Sequence, residues 1–361
     1  MIRHGQIAAL YLFDVSESIA LPQLAALIPA PAPRAKLAPK ASPSYVEYSV
    51  PPVQIDGDAI GFAEVNGFRL RIKVFDYGVV SCAFTRRFAG EWTDLLAMAH
   101  SLANEQSLEA SAAKVCDAIV DRILPSLDQR RARFLSEDYF VYAVSELEGG
   151  PDADALLASA GGTIAQILRA EIEPLSAQQR DEVLSHQLSY LAKDLVVPTW
   201  SSALVYDTEA GIHAALEILE YANSQLLQFR YYDELLDGQL ARIYKEIETT
   251  EGYRRWWGRR YTRAARRVHG LFIDVNELTD RTENALKLVG DVYAARLLAL
   301  AHSRLGVTAW RDSVRDKLKT LDEIYRFAVD QTAMDRGEVL EAAIVAILVF
   351  ELILFFLGIM K

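Results

Sequence analysis

An α+β head with a mostly antiparallel sheet and flanking helices, a long coiled-coil-like helical stalk and one C-terminal transmembrane helix are expected from three features of this 361-residue chain. Short apolar runs separated by turn signals fill the first 205 residues. From Ala210 the apolar residues recur at helical spacing. The run from Ala342 to Met360 carries Glu351 as its only charge. The expected domains are a head at 1–205, a stalk at 206–338 and an anchor at 339–360.

In the head, Ile7 to Val15 (IAALYLFDV) reads as a buried strand, because an uninterrupted short apolar run suits a sheet covered on both faces. Ser16 to Leu27 reads as a short helix with Ser16 as N-cap. Eight of the twelve prolines lie between Pro22 and Pro52, which makes 29–52 an extended loop. Strands are expected over Tyr45–Val50, Ala59–Val65, Phe68–Phe75 and Val79–Phe84. Asn66-Gly67 is a strong hairpin signal, since both central positions of that turn need positive φ; Tyr77-Gly78 marks the next turn. Glu91–Asn104 and Leu108–Leu124 have helical period, Asp138–Leu147 reads as a strand, and Pro151–Ala170 as a helix broken at Gly161-Gly162. Asp152 suits its N-cap better than it suits a metal site with Asp154.

In the stalk, Leu219, Ala222, Leu226, Phe229, Leu236, Leu240, Ile243 and Ile247 recur at steps of three, four and once seven. They predict a helix of roughly forty residues, about 60 Å long. A break follows at Gly252–Gly258, then helices over Val275–Leu305 and from Ala309 onward, separated at Gly306. Helices of this length pack along a partner, so an antiparallel stalk completed by a second copy is expected.

The C-terminal run rises about 1.5 Å per residue, enough to cross a hydrocarbon core of about 30 Å. Each Leu, Ile, Val or Phe favours insertion by about 0.3–0.6 kcal/mol against about 3 kcal/mol for a carboxylate. A dozen apolar side chains outweigh Glu351. The N-terminal sequence lacks a secretory pattern, so the body is expected on the cytoplasmic side of an inner (plasma) membrane. Glu351 is an intramembrane polar group whose protonated carboxyl could bond a neighbouring span and promote homo-oligomers.

The net charge of −11 argues against a protein that coats nucleic acid generally. Against that background Tyr253 to His269 (YRRWWGRRYTRAARRVH) carries seven arginines and no acid. Arg254, Arg255, Arg259, Arg260, Arg263, Arg266 and Arg267, interleaved with Trp256 and Trp257, suit RNA or a ribosome surface, anionic lipid headgroups, or neighbouring acids such as Glu246, Glu248 and Glu251. Arg69, Arg71, Lys73 and Arg86 are expected on one side of the sheet, as an anion surface or a plain solvent face. Cys82 and Cys116 form no metal motif, the six histidines have no HExxH spacing, and no phosphate-loop, dinucleotide or nucleophile-elbow motif occurs. No catalytic, cofactor or metal residues are assigned.

The ordered set VFDYGVVSCAFTR (Val74–Arg86), DLVVPTWSSALVYDTE (Asp194–Glu209), FRYYDELLD (Phe229–Asp237), RLGVTAWRDSVRDKLKTLDEIY (Arg304–Tyr325) and LEAAIVAILVFEL (Leu340–Leu352) resembles the "required for meiotic nuclear division" family, as a bacterial-type member. That resemblance implies an α/β body, coiled helices and one C-terminal span bearing a glutamate. It also implies a non-enzymatic membrane tether, by analogy with mitochondrial members that hold ribosomes near the inner membrane. The expected function is a self-associating scaffold that recruits a cytoplasmic partner. The alternatives are an enzyme with its site in the head, near His100, Asp76 and Arg86, or an oligomeric pore built on Glu351.

Overall fold

The computed structural model describes residues 1–27, 50–104, 106–248, 270–280 and 292–356. The Pro-rich stretch 29–52 up to residue 49, the Arg-Trp segment 253–269 and the break at 252–258 lie outside them. The described chain divides into two compact units, Met1–Tyr231 with Asp280–Trp310, and Tyr232–Thr279 with Arg311–Lys361.

The first unit is α+β. Its strands are β1 (Ile2–Asp14), β2 (Ser18–Ile19), β3 (Val53–Asp56), β4 (Glu64–Val65), β5 (Phe68–Val74), β6 (Val79–Gly90), β7 (Leu127–Asp128), β8 (Leu135–Leu147), β9 (Leu195–Pro198) and β10 (Ser202–Tyr206). Eight of them form one sheet in the order β3-β5-β6-β1-β8-β10-β9, with β4 paired to β5; β2 and β7 pair separately. Every pairing in the large sheet is antiparallel except β8 with β10. The long central strand β1 is apolar and buried without interruption from Ile7 to Phe13, where both of its faces are covered.

Ile7, Ala9, Tyr11 and Phe13 of β1 join Ile72, Val80, Cys82, Phe84, Phe140 and Tyr142 in the main core. This core is closed by α2 (Trp92–Asn104), α3 (Ser107–Ile123) and α4 (Ala153–Arg169), with α5 (Ala177–Leu184) packed on α4. The alternate residues Ala8, Leu10, Leu12, Ala83, Tyr139, Val141, Ala143, Ala203 and Val205 are equally buried on the opposite face. Helix α6 (Glu209–Glu248) reaches this face through Glu217, Glu220 and Gln228.

Several local expectations need correction. Ser16 caps no helix: its hydroxyl donates to the carbonyl of Ser18, and α1 begins only at Leu21. The strand expected over Ala59–Val65 is a 3-10 turn at Gly57–Ile60 followed by the two residues of β4. Helix α4 runs unbroken through Gly161-Gly162, where the missing Cβ lets Leu184 of α5 approach; a Cβ at Gly161 would stand 3.2 Å from Leu184 Cδ1. Asp152 does cap α4, accepting from the Ala155 N–H at 2.8 Å. Asn66 and Gly67, at φ 52° and 77°, form the expected tight turn between β4 and β5.

In the second unit, Asp233 and Asp237 of α6 meet Ser313 and Lys317 of α9 (Val307–Phe356) at 2.7–2.8 Å. Asp233 bonds both partners and Asp237 bonds Lys317, so position advances along both helices together. This stretch of α6 and α9 therefore runs parallel. Between the two helices in sequence lie the helical residues 270–280 (α7) and α8 (Val292–Arg304). Gly306, at φ 71°, separates α8 from α9. Leu236, Ile243, Val314, Leu318 and Leu321 are buried.

Among the described residues no helix is long and apolar enough to cross a membrane. Of the expected span, 339–360, the backbone is helical to Phe356 and side chains are described for 344–349; the side chain of Glu351 lies outside them.

Two turn glycines should respond differently to substitution. A Cβ at Gly78 (φ 86°) would collide with the Ser16 carbonyl, whereas one at Gly67 (φ 77°) meets nothing within 4 Å. Gly67→Ala is expected to cost about 1–2 kcal/mol from backbone strain alone. Gly78→Ala should cost clearly more, read as the shift in urea midpoint; equal shifts would contradict the close approach.

Candidate functional site

The sheet face beneath α6 carries the most unusual chemistry in the molecule. Lys73 alternates with Ile72 and Val74 along β5, so its side chain leaves the main core and points to the opposite face. There it is 1% exposed, so of the two readings open for it the plain solvent face does not hold. Its ammonium is paired with Glu217 and lies 2.6 Å from Glu220 Oε2. The other Glu220 oxygen accepts from Ser81 Oγ of β6 at 2.6 Å. Both oxygens of a fully buried carboxylate are thus engaged.

Burial alone would raise the Glu220 pKa, but the charges of Lys73 and Arg71 and the two hydrogen bonds outweigh it and hold it below the ordinary value. Arg71 lies two residues from Lys73 on the same face, and its buried Nε has no hydrogen-bond partner. His213, one turn before Glu217, is shifted down by desolvation, with Glu217 opposing and Arg71 and Lys73 reinforcing. A lysine bound to two carboxylates is a poor nucleophile, and Glu220, held ionised, is a poor general acid. This chemistry favours holding elements together.

The polar contacts continue along α6. Ser224 shares a hydrogen bond of 2.7 Å with Tyr77. Gln228 donates to Asp14 Oδ1 at 3.0 Å, and Arg131 Nε donates to Asp14 Oδ2 at 3.1 Å. The Arg131 guanidinium also lies 3.7 Å from the Tyr231 ring centroid. On another side of the helix, His302 of α8 bonds Gln225 at 2.6 Å, and Gln225 bonds Tyr221. Glu217, Glu220, Ser224 and Gln228 thus recur at steps of three and four, a polar stripe at helical period that faces a sheet.

Residues singled out in the sequence fall elsewhere. Arg86 lies over the Phe68 ring at 5.9 Å, and His100 Nδ1 is 2.8 Å from the Ala170 carbonyl at the end of α4. Asp76 precedes β6 whereas Arg86 lies well along it, roughly 23 Å apart at strand rise. His100, Asp76 and Arg86 therefore form no single site. Burial pushes the Cys82 and Cys116 thiols up, so both stay protonated. Among the described residues no group of three or more His, Cys, Asp or Glu could hold a metal ion. The arginines and tryptophans from Arg254 to Arg267 lie outside the described residues.

Asp14 generates a pH prediction. Burial pushes it up from 3.8 to about 6, against the lowering effects of Arg131 and the Gln228 hydrogen bond. The folded state therefore holds an extra proton between those values, and this group's contribution to stability rises as pH falls from about 6 toward 4. Relative to Asp14→Asn, the wild-type chain should gain up to about 3 kcal/mol between pH 7 and pH 4. Urea midpoints at the two pH values measure it, and a pH-independent difference would contradict the buried carboxylate.

Comparison with known proteins adds a family. Residues 4–213 match the family described as "Uncharacterized protein MJ0711, N-terminal domain". The match spans the sheet and the first turn of α6, including Lys73 and Ser81, and ends before Glu217. The uncharacterized protein MJ0711 of Methanocaldococcus jannaschii is 24% identical over 241 residues, covering 66% of this chain and 71% of that protein. No solved structure matches. Neither comparison carries the meiotic-division name or a C-terminal span. With more than half of its length matched, this chain belongs to the family of the MJ0711 N-terminal domain.

Proposed function

We propose that this protein is a membrane-attached, self-associating tether whose body recruits a partner at the cytoplasmic face of the inner membrane. The observation that carries the reading is on α9. Ile344, Val345, Ile347, Leu348 and Val349 are each 50–59% exposed. Successive helix positions differ by about 100°, so these five side chains cover an arc of about 200°, and Ala346, also exposed, faces the remainder. An apolar collar of that kind suits lipid better than a single packed neighbour. The sequence extends the apolar run to Met360, past the described residues, and the resemblance to the meiotic nuclear division family supports the same placement. Glu351 would then lie within the span and favour pairing of copies.

The Arg254–Arg267 segment is the proposed contact for a phosphate-bearing partner, either anionic lipid or an RNA-containing assembly such as a ribosome. The clamp between Lys73 and α6 supports the tether reading in a second way. It fixes the root of a 40-residue helix to the sheet, so that force on the helix reaches the body.

Alkaline carbonate extraction of membranes from cells making the full chain tests the anchor. The chain is expected to stay with the bilayer, and an Ile347→Asp, Leu348→Asp variant to be released. Release of the unaltered chain with peripheral proteins would overturn the reading.

A further inference from the structure

A cavity of about 480 Å³ in the first unit is lined by Asp117 of α3 and by Arg130, Arg131, Ala132 and Phe134 of the segment between β7 and β8. Its chemistry is set by how Arg131 is held. The side chain is 10% exposed, and Nε is committed to the fully buried Asp14. One face of the guanidinium rests on the Tyr231 ring at 3.7 Å. The backbone is tied down as well, with Arg131 N–H donating to the Val15 carbonyl at 2.9 Å. Its two Nη groups have no hydrogen-bond partner among the described residues. A planar fork fixed on three sides, with its free donors at a cavity, is the arrangement that receives two oxygens of one anion.

Two further observations point the same way. Arg130, at the rim, spreads over the Phe134 ring at 5.8 Å, and its nearest carboxylate is the 72% exposed Asp121 at 3.9 Å. So loose a contact leaves this charge available to a ligand. Gln129, just before the two arginines, holds φ at 48°. Left-handed backbone at a residue other than glycine is costly and concentrates at functional loops.

We propose that this cavity is a binding site for a small oxyanion of the phosphate or carboxylate class. Arg131 receives two of its oxygens and Arg130 closes over it from the rim. Asp117, on the cavity wall, adds a requirement: a carboxylate there repels a bare dianion and accepts a hydrogen bond from a hydroxyl or ammonium group. The fitting ligand carries such a donor beside its oxyanion, as the protonated P–OH of a phosphate monoanion does. The site is independent of the anchor and of the Arg254–Arg267 segment, so it stands if the membrane reading fails.

Calorimetric titration of the full chain in a non-ionic detergent tests it, with inorganic phosphate in one arm and glycolate, whose hydroxyl supplies the required donor beside its carboxylate, in the other. Saturable binding in the phosphate arm alone assigns the phosphate class, binding in the glycolate arm alone the carboxylate class, and comparable binding in both a site that takes either. Arg130→Ala, on the surface, and Arg131→Lys, which keeps the charge but loses the fork, are each expected to weaken binding about tenfold. A chain with Arg259, Arg260, Arg263, Arg266 and Arg267 changed to Ala should bind as tightly as the wild type. No saturable binding of either anion would overturn the proposal. So would binding that survives Arg130→Ala and disappears in the five-alanine chain.

Discussion

Lys73 sits inside the sheet layer with 1% of its surface reaching solvent, and its charge has to be met there. An uncompensated ammonium in such a place would cost several kcal/mol. The compensation comes from Glu217 and Glu220, two residues nearly 150 positions later in the chain. That requirement fixes where the first five turns of α6 lie and which side of the helix faces the sheet. Ser81 then completes the coordination of Glu220 from the neighbouring strand. Apolar packing alone would let a long helix slide or roll over an apolar surface; directed hydrogen bonds to a charge hold it at one register.

The same face carries a second pair with the opposite balance. Asp14 is buried more expensively than its partners compensate, which leaves its carboxyl pushed up to about 6. Glu220, with a lysine and a hydroxyl on its two oxygens, is held below the ordinary range. The contrast follows from the donors. An ammonium in contact, with further cations nearby, offsets desolvation; one Arg131 Nε and one amide do not. Asp14 nevertheless orients Arg131 and leaves the far side of its guanidinium unused, so a costly buried acid and an available pair of donors arise from one arrangement.

Much of the body was legible in the sequence because its signals are local. The two-sided burial of β1 is written in the unbroken run IAALYLFD, the β4–β5 turn in Asn66-Gly67, and α6 in a period that spans forty residues. The misses have physical reasons. Strands β9 and β10 are short, and the first ends on Pro198, so the sequence alone marks no strand there. Gly161-Gly162 reads as a break until α5 is seen against it. The clamp itself was hidden because Glu217, Glu220, Ser224 and Gln228 have the spacing of a solvated helix face, and Arg69, Arg71 and Lys73 that of a solvated strand face. A polar stripe on each partner is the trace such a seam leaves, but nothing local distinguishes it from two wet surfaces. Arg131 stood in a basic turn, QRRAR, whose role depends on Asp14 more than a hundred residues away.

The central claim is that Lys73 and Glu220 act as one unit that seats α6 on the sheet. A double-mutant cycle measures it, using Lys73→Met, Glu220→Met and the pair together, each unfolded in urea at pH 7. Each single change leaves a buried charge without its main partner and should cost about 3–5 kcal/mol. The double variant should lose clearly less than the sum, with a coupling of about 2 kcal/mol or more. Losses that add to within about 0.5 kcal/mol would show that the two residues contribute independently, and the account of α6 as a helix held by a buried charge would fail.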